Sequence, residues 1–84
     1  MLKVSVISPE AVLFEGETDS VVAPAYDGEV GILTGHAPLM ALLGEGKLRL
    51  GGGAGRSFTV SGGFMQVLND GVRIVTEKAT ASGG

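Results

Sequence analysis

Apolar and polar residues alternate in short runs along most of this chain, and a period of two restricts those runs to β-strands. In "LKVSVIS" the residues Leu2, Val4 and Val6 share one face against Lys3 and Ser5. "KLRL" repeats the pattern at Leu48 and Leu50, and "RSFTVS" at Phe58 and Val60. The chain's 15 glycines cut these runs every ~8–12 residues, the spacing of a sandwich or barrel. "GGGAG", Gly51 to Gly55, fits a hairpin connection, and "SGGFMQVLNDGVRIVTEK" reads as two further strands. Asn69-Asp70-Gly71 supplies the left-handed residues that a tight hairpin needs. Gly62-Gly63, inside a strand pattern, predicts a bulge or a close backbone approach. "APLMALLG" is apolar without a period; Pro38 and the flanking glycines favour a strand buried on both faces. The expected fold is all-β, a flattened antiparallel β-sandwich of about eight to ten short strands.

At 84 residues the chain is one domain, expected to span residues 1–80 with a short polar tail at 81–84. A domain this small buries only roughly 60–65% of its unfolded surface. With no cysteine, neither a disulfide nor a zinc-thiolate site is available to help it. Yet 44% of its residues are hydrophobic, more than so small a core hides easily. Either another subunit covers part of that surface, or the sandwich is well filled with ordinary apolar exposure. The net charge is −3, and the six basic residues are scattered, which argues against nucleic acid or an anionic membrane as partner. Lys3 is followed by Val-Ser-Val-Ile and then Pro9 and Glu10, so no signal peptide is expected. No window approaches the ~18 apolar residues of a membrane span, and direct membrane insertion is not expected.

The search for chemistry starts at His36, the sole histidine and the only conventional acid or base at neutral pH. A nucleophilic triad would need a serine elbow, and Gly-x-Ser-x-Gly is missing; Ser61 precedes Gly62-Gly63 within a strand pattern. One histidine without cysteine makes a poor metal set. Glu15, Glu17 and Asp19 share a face at period-two spacing, which reads as a solvated strand face, since the alternating ligands of a calcium loop are not there. The Gly-rich stretches match neither phosphate-binding fingerprint: Ala41 stands where a P-loop glycine belongs and Leu48 where its Ser or Thr belongs. No catalytic residue, cofactor or metal is expected, and the chain reads as no enzyme by itself. A freestanding β-sandwich binding module for a small ligand or peptide remains an alternative, as does hydrolysis through His36.

"DGEVGILTGHAPLMALLGEGKLRL", followed by "FTVSGGFMQVLNDGVRIVTEKA", resembles the N-terminal β-sandwich domain of the epsilon subunit of F-type ATP synthases, called delta in mitochondria. The family pattern runs roughly G-E-x-G-[IV]-L-P-G-H-A-P-L, then G-x-[LI]-[RK]-[IL], then S-G-G-[FI]-x-E-V. The opening "V-x-[ST]-P-E" and "F-x-G-E" also fit, so the likeness covers nearly all 84 residues in uninterrupted order. Thr34 departs from the family's usual Pro, and Gln66 from its common Glu. The helical hairpin that follows the sandwich in many members has no counterpart after Ala79. The likeness is therefore to the sandwich domain, either as a short form of the subunit or as a piece cut at the domain boundary, and neither inhibition of hydrolysis nor ATP binding by that hairpin is carried over.

The resemblance implies a non-catalytic subunit of the central rotor stalk that couples the gamma subunit to the c-subunit ring in rotary, proton-driven ATP synthesis. It would be peripheral, on the cytoplasmic face of the bacterial inner membrane, with no nucleotide bound by this domain. Residue by residue, Glu29 matches the family position that faces the polar loops of the c ring, and His36 matches the His of "GHAP" beside that face. Leu13, Phe14 and Met40 match apolar positions toward gamma, with ordinary core packing as the alternative for all three.

Overall fold

A computed structural model describes residues 1–51 and 56–82; residues 52–55, most of the Gly51–Gly55 connection, lie outside the described residues. All the described elements are strands: β1 (Leu2–Ile7), β2 (Val12–Thr18), β3 (Ser20–Ala25), β4 (Gly28–Leu33), β5 (Leu39–Leu42), β6 (Glu45–Leu50), β7 (Arg56–Leu68) and β8 (Gly71–Ser82). The hydrogen-bonded order is β2-β1-β8-β7-β6-β3-β4, with β5 on the free edge of β7. The all-β sandwich is thus present. It is not purely antiparallel, because β1 runs parallel to β8. A parallel pair needs a long connection, and here the whole chain between the first and last strands supplies it.

The layers are built on two long strands. "RSFTVS" and "SGGFMQVL" form one strand, not two. β8 pairs with β7 along its length, while the other edge of β7 serves β6 up to Ser61 and β5 from Phe64. Gly62 and Gly63 mark the change, with φ of 71° and 104°. The β7–β8 register runs unshifted from Ser61↔Lys78 to Gly63↔Thr76, so this is no bulge. It is the close approach: a Cβ on Gly63 would run into the carbonyl oxygen of Val75 and the Cα of Thr76. The pair also turns the strand over. Phe58 and Val60 are buried before it, Met65 and Val67 after it, so the inward phase switches from even to odd. Opposite, Val72, Ile74 and Thr76 face in, and then Ala79 packs on the core.

The inward residues of both layers meet in one cluster that includes Leu2, Val6, Val21, Ile32, Leu48, Met65 and Ile74. The alternations in "LKVSVIS", "KLRL" and "RSFTVS" therefore point as the sequence predicts. Among the described residues every buried side-chain polar atom has a partner; the Thr76 hydroxyl donates to Lys78 O at 2.9 Å. A register shift between β1 and β2 leaves Leu13 as the extra residue, between Phe14↔Val6 and Val12↔Ile7. Asn69 and Asp70, with φ of 51° and 60°, form the two-residue loop of the β7–β8 hairpin, as a type I′ turn requires.

Candidate functional site: an apolar row and a tethered loop

β5 is a strand, but it is not buried on both faces. Leu39 and Ala41 pack against the core, while Met40 and Leu42 are 64% and 68% exposed. The reason is position. β5 adds to the rim of one layer, so only one of its faces has a second layer to cover it.

Following the register outward from β5 shows what that layer presents to solvent. Leu42 lies opposite Phe64, Phe64 opposite Val75, Val75 opposite Ile7, and Ile7 opposite Val12. Five apolar side chains from five strands thus form one row across the outer face. Tyr26, 82% exposed, extends it, since its N–H donates to Leu42 O at 2.9 Å. The next row is mostly polar: Met40, Gln66, Arg73, Ser5 and Glu15. A third carries Leu68, Gly71, Lys3 and Glu17. An apolar strip beside a field of both charge signs is the make-up of a protein interface. The depressions on this face, such as one of about 300 Å³ lined by Pro38, Met40 and Gln66 among others, lie open to solvent.

The three residues expected toward gamma are placed differently from one another. Met40 stands on the open face. Phe14 lies opposite the buried Val6 and packs on the core, and the Arg56 guanidinium lies 5.6 Å from its ring centroid, within cation–π reach. Leu13, the bulge residue, also packs on the core.

Glu29 and His36 lie toward opposite ends of β4. Glu29 is exposed near the β3–β4 turn, 3.2 Å from Arg49. His36 belongs to the turn that follows Leu33, about 13 Å further along for four residues of extended chain. That turn closes through the His36 N–H and Leu33 O at 3.1 Å, with Gly35 at φ 85°. A glycine at about +80° in the third position defines a type II turn. The His36 Nδ1 lies 2.7 Å from Ala37 O; a carbonyl only accepts, so this nitrogen carries the proton. Among the described residues no carboxylate or serine hydroxyl bonds the ring, as a triad would require. The carboxylate close by, Asp70, instead takes the Gly35 N–H at 2.7 Å.

Neither the row nor Asp70 stood out as a site in the sequence. Ile7, Phe64 and Val75 are single apolar residues that acquire meaning only when the register aligns them. Asp70 read as a turn residue and no more.

A family model for the β-sandwich domain of the ATP synthase delta/epsilon chain matches residues 1–82. The ATP synthase epsilon chain of Leptospira borgpetersenii is 48% identical over 77 residues, covering 90% of this chain and 61% of that one. The epsilon chain of Caulobacter vibrioides is 43% identical over 79 residues, covering 93% of this chain and 92% of that one. The chain therefore spans about three fifths of some relatives and nearly all of others. Among solved structures, a chain of the Euglena gracilis mitochondrial ATP synthase superposes with a TM-score of 0.86 at 24% identity, over 95% of this chain and 52% of that one. A chain of the Tetrahymena thermophila central stalk and c-ring structure does so at 0.77 and 16%, over 94% and 65%. These two likenesses are of fold.

Proposed function

The chain belongs to the ATP synthase delta/epsilon family, matched over its β-sandwich domain, and on that premise we propose that it is a non-catalytic rotor subunit that fastens the gamma subunit to the c-subunit ring. The observation that carries this reading is the outer face: an apolar row from Leu42 to Val12 crosses five strands, beside a field holding Lys3, Arg73, Glu15 and Glu17. Apolar area supplies affinity and mixed charge supplies register. We assign gamma to this face, with Met40, Leu42 and Phe64 in contact. Leu13 and Phe14 are given a supporting place, holding the β2 rim beneath Val12.

Glu29 and His36 are assigned to the c ring. Glu29 is already paired with Arg49, so a basic loop of the ring would join an existing ion pair. Exposed pairs contribute at most about 1 kcal/mol, and this one sets orientation more than affinity. The subunit's work is mechanical: ring rotation reaches gamma only if neither contact slips. No proton or phosphoryl transfer is assigned to any of its residues. Its place is peripheral, on the cytoplasmic face of the bacterial inner membrane.

Co-purification tests the assignment. The tagged protein should retain gamma and the c ring from a solubilised synthase lacking its own epsilon chain, and restore the coupling of proton flow to ATP synthesis. A folded protein that retains neither subunit would refute it.

A further inference from the structure

We propose that Asp70 is a positioning residue for the His36 loop: its carboxylate is the tether that fixes the "TGHAP" turn to the rest of the fold. The loop's other hydrogen bonds are local. His36 N–H reaches back to Leu33 O, and the His36 ring faces Ala37 O. Pro38 has no N–H to give. Among the described residues, the single hydrogen bond from residues 34–38 to a distant part of the chain is Gly35 N–H to Asp70 Oδ1, at 2.7 Å and 35 positions away. The acceptor is itself well anchored. Asp70 sits at φ 60° in the β7–β8 turn, and its carbonyl takes the Lys3 N–H at 2.8 Å. One residue thus joins the start of β1, the β7–β8 hairpin and the His36 loop.

The geometry gives the tether a purpose. A turn closed only by its own bonds would swing about its two ends, and docking it would cost the entropy of ordering it. Fastened at Gly35, it presents His36 in one place before any partner arrives. The functional half of this inference rests on the assignment of the loop to the c ring; the tether itself does not.

Two variants separate acceptor from charge. Asp70→Gly removes the oxygen and leaves Asn-Gly, a pair well suited to a type I′ turn, so the hairpin is not strained. Asp70→Asn removes the same charge but keeps an oxygen at the same reach, in a residue that tolerates this backbone. Amide exchange on the protein alone is the first readout. Gly35 should exchange about tenfold faster in Asp70→Gly, the scale of one lost hydrogen bond, and near the parent rate in Asp70→Asn, with Val67 and Val72 unchanged in both. Unchanged Gly35 exchange in Asp70→Gly, or equal loss in both variants, overturns the tether. The second readout is affinity for the purified gamma–c-ring assembly, expected to fall several-fold in Asp70→Gly and to recover in Asp70→Asn. Intact affinity in Asp70→Gly overturns the positioning role. A parent protein that does not bind the assembly overturns the rotor assignment and leaves the exchange result standing.

Discussion

Met40 offers the sharpest separation of interface from core, because Met65 is the same residue type on the neighbouring strand with the opposite facing. Met40 is 64% exposed and lies opposite Gln66; Met65 is fully buried opposite Ala41. Burying a whole methionine side chain is worth roughly 1.5–3 kcal/mol. The two thirds still exposed on Met40 would therefore contribute about 1–2 kcal/mol on docking. Met40→Glu removes that contribution and forces a carboxylate against an apolar partner, adding about 1–3 kcal/mol if it finds no donor. Gamma binding should weaken about 30-fold or more. Folding should change by less than about 1 kcal/mol, since the strand loses only propensity and no opposing carboxylate stands across from it. For a domain of this size that is a melting shift of at most ~8 °C. Met65→Ala should cost about 2–5 kcal/mol of stability. Thermal melts of the free protein and titration with purified gamma measure both quantities. A Met40→Glu protein that loses more than about 2 kcal/mol of stability would make the residue core, and unchanged gamma affinity would remove it from the interface.

The paired glycines of β7 should respond unequally to alanine. Gly63→Ala meets backbone at Val75 and Thr76 in an unfavourable region of φ and should cost about 3 kcal/mol or more. Gly62→Ala meets mainly the flexible Glu77 carboxylate at 3.1 Å and should cost about 1–2 kcal/mol; urea melts showing equal costs would refute the close-approach account. Thr34 fills the second position of the type II turn, where proline is preferred, and its N–H makes no hydrogen bond among the described residues. Thr34→Pro should therefore stabilise by about 0.4–1 kcal/mol, and a lower midpoint would mean that Thr34 has a backbone angle proline cannot take. Arg49→Met should leave stability within about 1 kcal/mol while changing the salt dependence of ring association, and a salt dependence identical to the parent's would free Glu29 of its assigned contact.

The strands were legible wherever alternation was local. Leu2, Val4 and Val6, or Leu48 and Leu50, declare their face within a few residues. The hairpin at Asn69-Asp70 was legible because its turn type restricts the residues that fit. Pairing that depends on distant segments was not. Nothing in "LKVSV" says that it will lie parallel to "VRIV", and nothing in "SGG" says that two glycines will reverse a strand's inward phase without breaking register. The apolar run "LMALL" shows a deeper ambiguity: a strand buried on both faces and a strand with one face left for a partner have the same composition. Hydrophobicity reports that a surface wants covering, not what covers it. Glu29 and His36 were legible through their motif, but their separation by the length of β4, with Glu29 exposed and His36 half-buried, needed the fold.

The apolar row and the His36 loop are not independent features, because the same two strands carry both. Phe64 and Val75 form the middle of the row, and Asp70 lies in the hairpin that closes those strands beyond Leu68, about 13 Å along β7 from Phe64. The segment between is paired on both edges of β8, with β7 on one side and β1 on the other, and its inward residues Met65, Val67, Val72 and Ile74 are buried. Such a segment yields by breaking several hydrogen bonds at once, not by bending at one. If gamma holds the row and the ring holds the loop, a load between them passes through this doubly paired stretch. A cavity there, as in Val67→Ala, should then loosen both contacts together, whereas Asp70→Gly should loosen the loop alone. Cross-linking yields at the two faces, measured in the same assembled complex, distinguish the cases. Independent responses to Val67→Ala would show that the load takes another path.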